Sequence, residues 1–241
     1  MKNTILFLLS ILLTNTVLGQ DNSEKIKVLV AKTEAAMGGQ KSLDAVRHLS
    51  WDFFGARTLT WDKKKGDVRI DMNKENTVFL FNTETQIGRA LKKGVEYTDA
   101  DSLATYMKSA YSTWINDSYW LIMPFKLDDP GVTLKYLGGM EAKEGQSCEV
   151  LELTFSEVGV TPNNKYLVYI DKETDLICQW DFFSNYLDEK PRFSMPWQNY
   201  RDYDGVMLSG DRGARKLSNI QVFKKLDKTV YTTFDRPSYI K

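Results

Sequence analysis

The sequence predicts a mainly β (α+β) fold: a single curved antiparallel sheet, or unclosed β-barrel, with an N-terminal helix and a helical lid insertion. Three observations predict this class. Short runs rich in aromatic and β-branched residues recur along most of the chain. Polar turn sequences separate these runs, and short connections force neighbouring strands to be antiparallel. One long stretch with apolar residues at helical spacing interrupts the series.

The first element is a predicted helix over 22–37. Its partial apolar stripe ends at Met37, and Gly38-Gly39 stops it. A short helical turn through Leu43 and Val46 is expected next. The predicted strands then lie at 47–61, 67–72, 77–81, 86–91, 132–137, 148–155, 165–170, 176–183, 216–225 and 229–234. Asp204-Gly205 is a two-residue hairpin signal in the same region.

A predicted helical lid spans 99–125. Its apolar residues recur every three or four positions, Asp101 or Ser102 can cap its start, and Pro124 ends or kinks it. The stretch is too apolar to lie exposed, so we expect it to cover the sheet.

Residues 1–19 have the pattern of a secretory signal peptide. Lys2 precedes an apolar run of nine residues, and Val17-Leu18-Gly19 resembles a cleavage site before Gln20. A transmembrane anchor needs roughly 20 apolar residues, and a lipoprotein needs a cysteine directly after the apolar run. We therefore expect an exported, periplasmic protein without stable membrane insertion, whose residues 20–241 form a single domain.

The balance of charged residues argues against one class of partner. The chain has 32 basic and 32 acidic residues, and nucleic-acid binding usually leaves a basic excess. No nucleic-acid partner is expected.

The two cysteines, Cys148 and Cys178, fall in predicted strands with one strand between them, which places them about 9.6 Å apart at roughly 4.8 Å per strand. A disulfide needs Cα atoms within about 7 Å, so we expect both thiols to be unpaired; a different strand order would overturn this expectation.

No catalytic pattern stands out. His48 is the only histidine, and we interpret it as a surface or strand-edge residue. Ser209-Gly210 lacks the glycine that a nucleophile elbow requires two positions earlier. One histidine and two distant cysteines do not make a zinc site, and Asp202–Gly205 fits a hairpin turn better than a calcium loop. We expect no enzyme activity, no metal and no cofactor.

The remaining candidate is an apolar site. Aromatic residues of the strands and the lid are expected to line one concave face and to bind a hydrophobic ligand there, although such side chains also form an ordinary core. The candidate ligand-binding residues are Trp51, Phe53, Trp61, Phe79, Phe81, Trp114, Trp120, Met123, Phe155, Tyr169, Trp180 and Phe182.

The element order resembles a known family. The matching segments are 66–68, 77–82, a helix ending in Trp120-Leu121-Ile122-Met123, and the strand and turn over 169–177. The chain is similar to the periplasmic outer-membrane lipoprotein carriers (LolA/LolB-like), especially uncharacterised secreted members in the Bacteroidetes. The resemblance implies an unclosed β-barrel lidded by helices, whose apolar face shields acyl chains. Met72-Asn73 stands where the carriers have Arg-Pro. This difference favours a protein that binds a hydrophobic ligand over one that takes part in the lipoprotein pathway itself.

Three functions follow as hypotheses. The first is a soluble monomeric carrier for a lipid or for the acyl chain of an acylated protein, since each buried CH₂ contributes about 0.8 kcal/mol. The second is a non-enzymatic module that docks another envelope protein. The third, a hydrolase, is the least favoured, and it would have to use His48.

Overall fold

The structure is a computed structural model that describes residues 22–156 and 160–240. These residues form two compact units: a smaller unit, from residues up to 36 and 127–194, and a larger unit, from 37–126 and 195 onward. The sequence predicts one domain over 20–241, and no linker composition marks the three places where the chain passes between the units. The predicted signal peptide, 1–19, lies outside the described residues.

The larger unit is built on an eight-stranded antiparallel sheet in the order β14-β15-β1-β2-β3-β4-β5-β6. Because β14 and β6 end this order, the sheet is unclosed. The strands are β1 (His48–Phe53), β2 (Arg57–Asp62), β3 (Asp67–Met72), β4 (Thr77–Asn82), β5 (Gly88–Lys92), β6 (Val95–Tyr97), β14 (Asp211–Arg212) and β15 (Arg215–Phe223). The unit also has α2 (Gly39–Ala45) and the hairpin of β12 (Arg201–Tyr203) and β13 (Val206–Leu208).

The predicted strand over 47–61 is a hairpin of β1 and β2. Phe54 and Gly55 adopt positive φ values of 53° and 69°, and the amide of Ala56 donates to the carbonyl of Phe53. A tight turn of this kind reverses the chain. The alternation of apolar residues continues across it, because Phe53 pairs with Arg57.

The predicted helical lid is confirmed as α3 (Ala100–Ile122), followed by a 3₁₀ turn, Met123–Lys126. Its cap is Asp99, not Asp101 or Ser102, because the Asp99 carboxylate accepts the amide of Ser102 at 2.8 Å. Pro124 lies in the 3₁₀ turn, where the α-helix has ended.

The smaller unit contains α1 (22–36) and a five-stranded antiparallel sheet in the order β11-β10-β9-β8-β7. These strands are β7 (Val132–Glu141), β8 (Ser147–Phe155), β9 (Lys165–Asp171), β10 (Ile177–Phe183) and β11 (Phe193–Pro196), the last of which ends in the larger unit. The β7–β10 meander is the one that the turn sequences predict.

The mainly β class with unclosed antiparallel sheets is confirmed, and two further details differ. The strands form an eight-, a five- and a two-stranded sheet, where the sequence predicts a single sheet; the long α3 interrupts the run of hairpins that would keep one ladder continuous. The predicted strand 229–234 is instead the helical turn α4 (Thr229–Thr232), because the Asp227 carboxylate accepts the amide and the hydroxyl of Thr229, both at 2.8 Å.

Candidate functional site

One face of the eight-stranded sheet carries most of the predicted aromatic residues. The strand register aligns them in cross-strand rows: Trp51, Leu59, Ile70 and Phe79 form one row, and Leu49, Trp61, Val68 and Phe81 form the next. Phe53 stands in a third row beside Arg57. Because successive residues of a strand point to opposite faces, all these side chains share one face.

Helix α3 lies on this face. Trp114 meets Trp61 edge-on with ring centroids 5.2 Å apart, and Trp120 meets Phe53 edge-on at 6.0 Å. The helix approaches β5 so closely that a Cβ on Gly88 would lie 2.6 Å from the sulfur of Met107. We call this set of sheet and helix side chains the aromatic layer: Trp51, Phe53, Trp61, Phe79, Phe81, Trp114 and Trp120. The predicted Met123 is fully buried in the 3₁₀ turn that follows α3.

The aromatic layer is graded in burial. Trp51 is fully buried, and Phe53, Phe81 and Trp120 are nearly so. Trp61, Phe79 and Trp114 are only half-buried. Solvent therefore reaches the layer at these three aromatic side chains.

Three indole N–H groups of the layer are buried without an acceptor. The Nε1 atoms of Trp51, Trp61 and Trp114 have no hydrogen-bond partner among the described residues. Trp61 touches Trp114, and Trp51 lies one row away on the same face. A buried unsatisfied donor costs about 1–3 kcal/mol, so an acceptor that reached one of these N–H groups would form a favourable hydrogen bond.

An ion pair holds α3 against the sheet beside the layer. Arg57 donates two hydrogen bonds to Asp117, at 2.6 and 2.7 Å, and the Asp117 side chain is fully buried. The guanidinium also lies 4.7 Å from the centre of the Phe53 ring. Burial raises the pKa of the Asp117 carboxyl, and the hydrogen bonds from Arg57 oppose that shift.

The other four predicted residues lie in the smaller unit and do not share one face. Tyr166 stacks on Trp180 at 5.0 Å and contacts Phe182 at 5.3 Å and Phe155 at 6.0 Å. Tyr169 points to the opposite side of the sheet, where its hydroxyl donates to Asp181 at 3.0 Å. The expectation that Tyr169 lines the same face as Trp180 is wrong, because an odd number of positions separates it from Tyr166 on one strand.

The opposite face of the eight-stranded sheet carries polar side chains that are buried under the C-terminal segment, residues 229–240. Arg69 pairs with Asp71 and also donates to the carbonyls of Val230, Thr233 and Phe234, at 3.2, 2.8 and 3.3 Å. The sequence interpretation missed this cluster. The alternation of Arg69 and Asp71 on one face of a strand was the available signal.

His48 also lies on this polar face, contrary to the surface or strand-edge interpretation. Its side chain is 2% exposed, and its Nδ1 is 2.9 Å from the hydroxyl of Tyr231 and 3.8 Å from the Asp62 carboxylate. Burial lowers the pKa of the imidazole, and the Asp62 charge opposes that shift. The pairing with Tyr231 gives His48 a structural contact to the C-terminal segment.

Among the described residues, cavities with polar and mixed linings include the following two. The larger, about 820 Å³, is lined by Asp44, Ala45, Val46, Arg47, Lys63, Lys64, Asp204 and Lys224. The other, about 460 Å³, lies between α1 and β7 and includes Ile26, Leu134 and Tyr136. Neither is lined by any of the twelve predicted ligand-binding residues.

Within residues 22–156 and 160–240, no group of three or more His, Cys, Asp or Glu side chains is arranged to hold a metal ion. In the same part of the chain, no helix is long and apolar enough to cross a membrane.

The chain has distant structural similarity to two solved proteins and no match among family models or curated proteins. A solved DUF1329 family protein from Desulfovibrio piger is similar at a TM-score of 0.45 and 14% identity, over 86% of this chain and 96% of that one. MucB in complex with MucA(peri) is similar at a TM-score of 0.21 and 11% identity, over 83% of this chain and 58% of that one. Both resemblances are too distant to carry an argument about function.

Proposed function

We propose that the protein binds a hydrophobic ligand, a lipid or the acyl chain of an acylated protein, at the aromatic layer. The observation that carries the proposal is the combination of half-buried aromatic rings with three indole N–H donors that lack an acceptor, at Trp51, Trp61 and Trp114. A ligand with a carbonyl or carboxylate near its apolar chain offers an acceptor for those donors. The resemblance to the lipoprotein carriers agrees with this choice of ligand.

The free energy of such binding comes mainly from burial of the ligand's acyl chain. Each buried CH₂ contributes about 0.8 kcal/mol, so ten methylenes contribute roughly 8 kcal/mol before the cost of association. One indole hydrogen bond to a neutral ester adds about 0.5–1.5 kcal/mol. Binding of this size is reversible without covalent chemistry, as a carrier requires.

We further propose that the protein is exported and acts in the periplasm as a monomer. The support is the tripartite pattern of residues 1–19, with its apolar run, polar break and small residue at Gly19. Its partners there would be lipids or acylated proteins. Export is tested by N-terminal sequencing of protein recovered from the periplasmic fraction, which should begin at or next to Gln20.

Ligand binding is tested with cis-parinaric acid, a fluorescent fatty acid that accepts energy from tryptophan. We expect saturable binding, and native mass spectrometry of gently purified protein should release a lipid on organic extraction. Trp61→Phe and Trp114→Phe keep an aromatic ring but remove the N–H, and each should weaken binding by about 3–10-fold. The matched control is Trp180→Phe, in the smaller unit, which should leave affinity unchanged. Absence of both probe uptake and extracted lipid would refute the proposal.

A second candidate function is protein docking at an open sheet edge. β7 is the last strand of the five-stranded order and is ten residues long, and an exposed edge strand accepts an added strand from a partner. A photo-crosslinker at the exposed Thr133 should then form a stoichiometric adduct with one envelope protein. If the adduct persists when Trp120 and Met123 are made polar, edge docking is favoured over the aromatic layer.

A further inference from the structure

The two cysteines of the chain meet in the smaller unit. The sulfur of Cys148 lies 3.3 Å from the sulfur of Cys178, and both are free thiols. They belong to β8 and β10, which flank β9 in the sheet. A strand spacing of roughly 4.8 Å places the backbones of β8 and β10 about 9.6 Å apart, yet the two side chains bring their sulfurs within 3.3 Å of each other.

A β-bulge explains the approach. The register of β10 with β9 shifts between Ile177 and Gln179, which leaves Cys178 in the extra position. Such a bulge bends its strand and re-aims the side chain. Cys148 pairs with Asp171, the last residue of β9. The two sulfurs therefore meet near the end of the central strand, on the face that carries Tyr169.

The surroundings of the pair are apolar. Cys148 belongs to a buried cluster with Ala142, Val150 and Tyr169, and Cys178 packs against it. Cys148 is fully buried, whereas Cys178 is half-buried and is therefore the more accessible residue of the two. Burial raises the pKa of both thiols. This slows attack by either thiolate on a disulfide at neutral pH, but it does not affect a disulfide between the two cysteines once that bond has formed.

We propose that Cys148 and Cys178 are a disulfide-forming site, oxidised by a disulfide donor such as glutathione disulfide or a thiol–disulfide oxidoreductase. The Cys178 thiolate attacks one donor sulfur, which breaks the donor S–S bond and releases one thiol. The Cys148 thiolate then attacks Cys178 in the mixed disulfide and releases the second thiol. Two electrons reduce the donor, and the two cysteine protons end on its sulfurs.

The step needs little movement. A disulfide has an S–S distance of about 2.0 Å, so the sulfurs must approach by roughly 1.3 Å from the observed 3.3 Å. The product joins β8 to β10 across the end of β9. No third cysteine competes, because the chain has only two.

The test measures the effective concentration of the pair. Full-length mature protein is equilibrated at pH 8 with glutathione redox buffers, starting from both the reduced and the oxidised form. Intact-mass analysis after iodoacetamide trapping then counts free thiols, mixed disulfides and the internal bond. We expect the effective concentration in native buffer to exceed that in concentrated urea by at least about 100-fold, and oxidation to raise Tm by on the order of 5–10 °C.

Cys148→Ser and Cys178→Ser are the controls. Each keeps one thiol, so it can form at most a mixed disulfide with glutathione and should show no such gain in Tm. An effective concentration in native buffer that is equal to or below the value in urea would overturn the proposal, as would mixed disulfides accumulating in place of the internal bond.

Discussion

The ion pair between Arg57 and Asp117 allows a quantitative prediction about how α3 is held. Asp117 is fully buried, and the Arg57 side chain is 21% exposed. Removing one partner of a buried pair costs about 3–5 kcal/mol. Because Arg57 retains some access to water, we expect Asp117→Leu to lower the free energy of unfolding by about 2–4 kcal/mol.

Arg57→Met should show a further signature. It leaves the buried carboxyl without its guanidinium, so the pKa of Asp117, already raised by burial, should rise more. A carboxyl whose folded pKa exceeds its unfolded pKa binds more protons in the folded state, so stability falls as pH rises through that window. The Arg57→Met variant should therefore lose stability relative to the wild type as pH rises above about 4, the ordinary pKa of an aspartate carboxyl.

The assay is denaturant unfolding followed by far-UV circular dichroism, across a double-mutant cycle. Arg57→Met with Asp117→Leu replaces the pair by apolar side chains and should unfold within about 1 kcal/mol of the wild type. The coupling energy should then exceed about 2 kcal/mol. If the double variant loses the sum of the two single losses, the pair does not couple α3 to the sheet and the reasoning fails.

Three other predictions concern the larger unit. Burial lowers the pKa of His48 below 6.5, so the unfolded chain binds more protons there and the free energy of unfolding should fall as pH drops below about 6.5. His48→Gln should flatten this pH dependence, measured by urea titrations at pH 5–8. An unchanged pH dependence would show that His48 is not its source. Arg69→Met should speed hydrogen exchange over 229–240, because it removes donors to three carbonyls. Unchanged exchange would contradict the view that Arg69 holds this segment on the sheet. Gly38→Ala would place a Cβ 2.0 Å from the Gly205 carbonyl at a φ of 96°, so its Tm should fall by several degrees, whereas Gly145→Ala, with open space at a φ of 90°, should lose less.

Much of the fold follows from local signals. The strict alternation over 67–72 and the helical spacing after residue 99 both correspond to real elements, β3 and α3. Prediction failed at 47–61 and at 229–234. In the first, a positive φ at the non-glycine Phe54 makes a turn that its residue type does not signal. In the second, a side-chain cap from Asp227 outweighs the strand-like composition.

The candidate site was predicted in part for a simple reason. Trp51, Phe53 and Trp61 all stand at odd positions, and the Phe53–Arg57 pairing preserves that parity across the turn. These side chains therefore share a face whether the run is one strand or a hairpin. The Arg57–Asp117 pair had no such signal, because 60 positions separate its partners.

The sequence by itself determined the mainly β class, the positions of most turns and the side of each strand that carries aromatic residues, because these depend on near neighbours and a period of two. The tertiary structure decided which strands pair across long separations, which polar groups on Arg69 and His48 are buried under the C-terminal segment, and that a bulge brings Cys148 to Cys178. Such features depend on where distant segments pack, and no local pattern encodes a 3.3 Å approach between two sulfurs 30 positions apart.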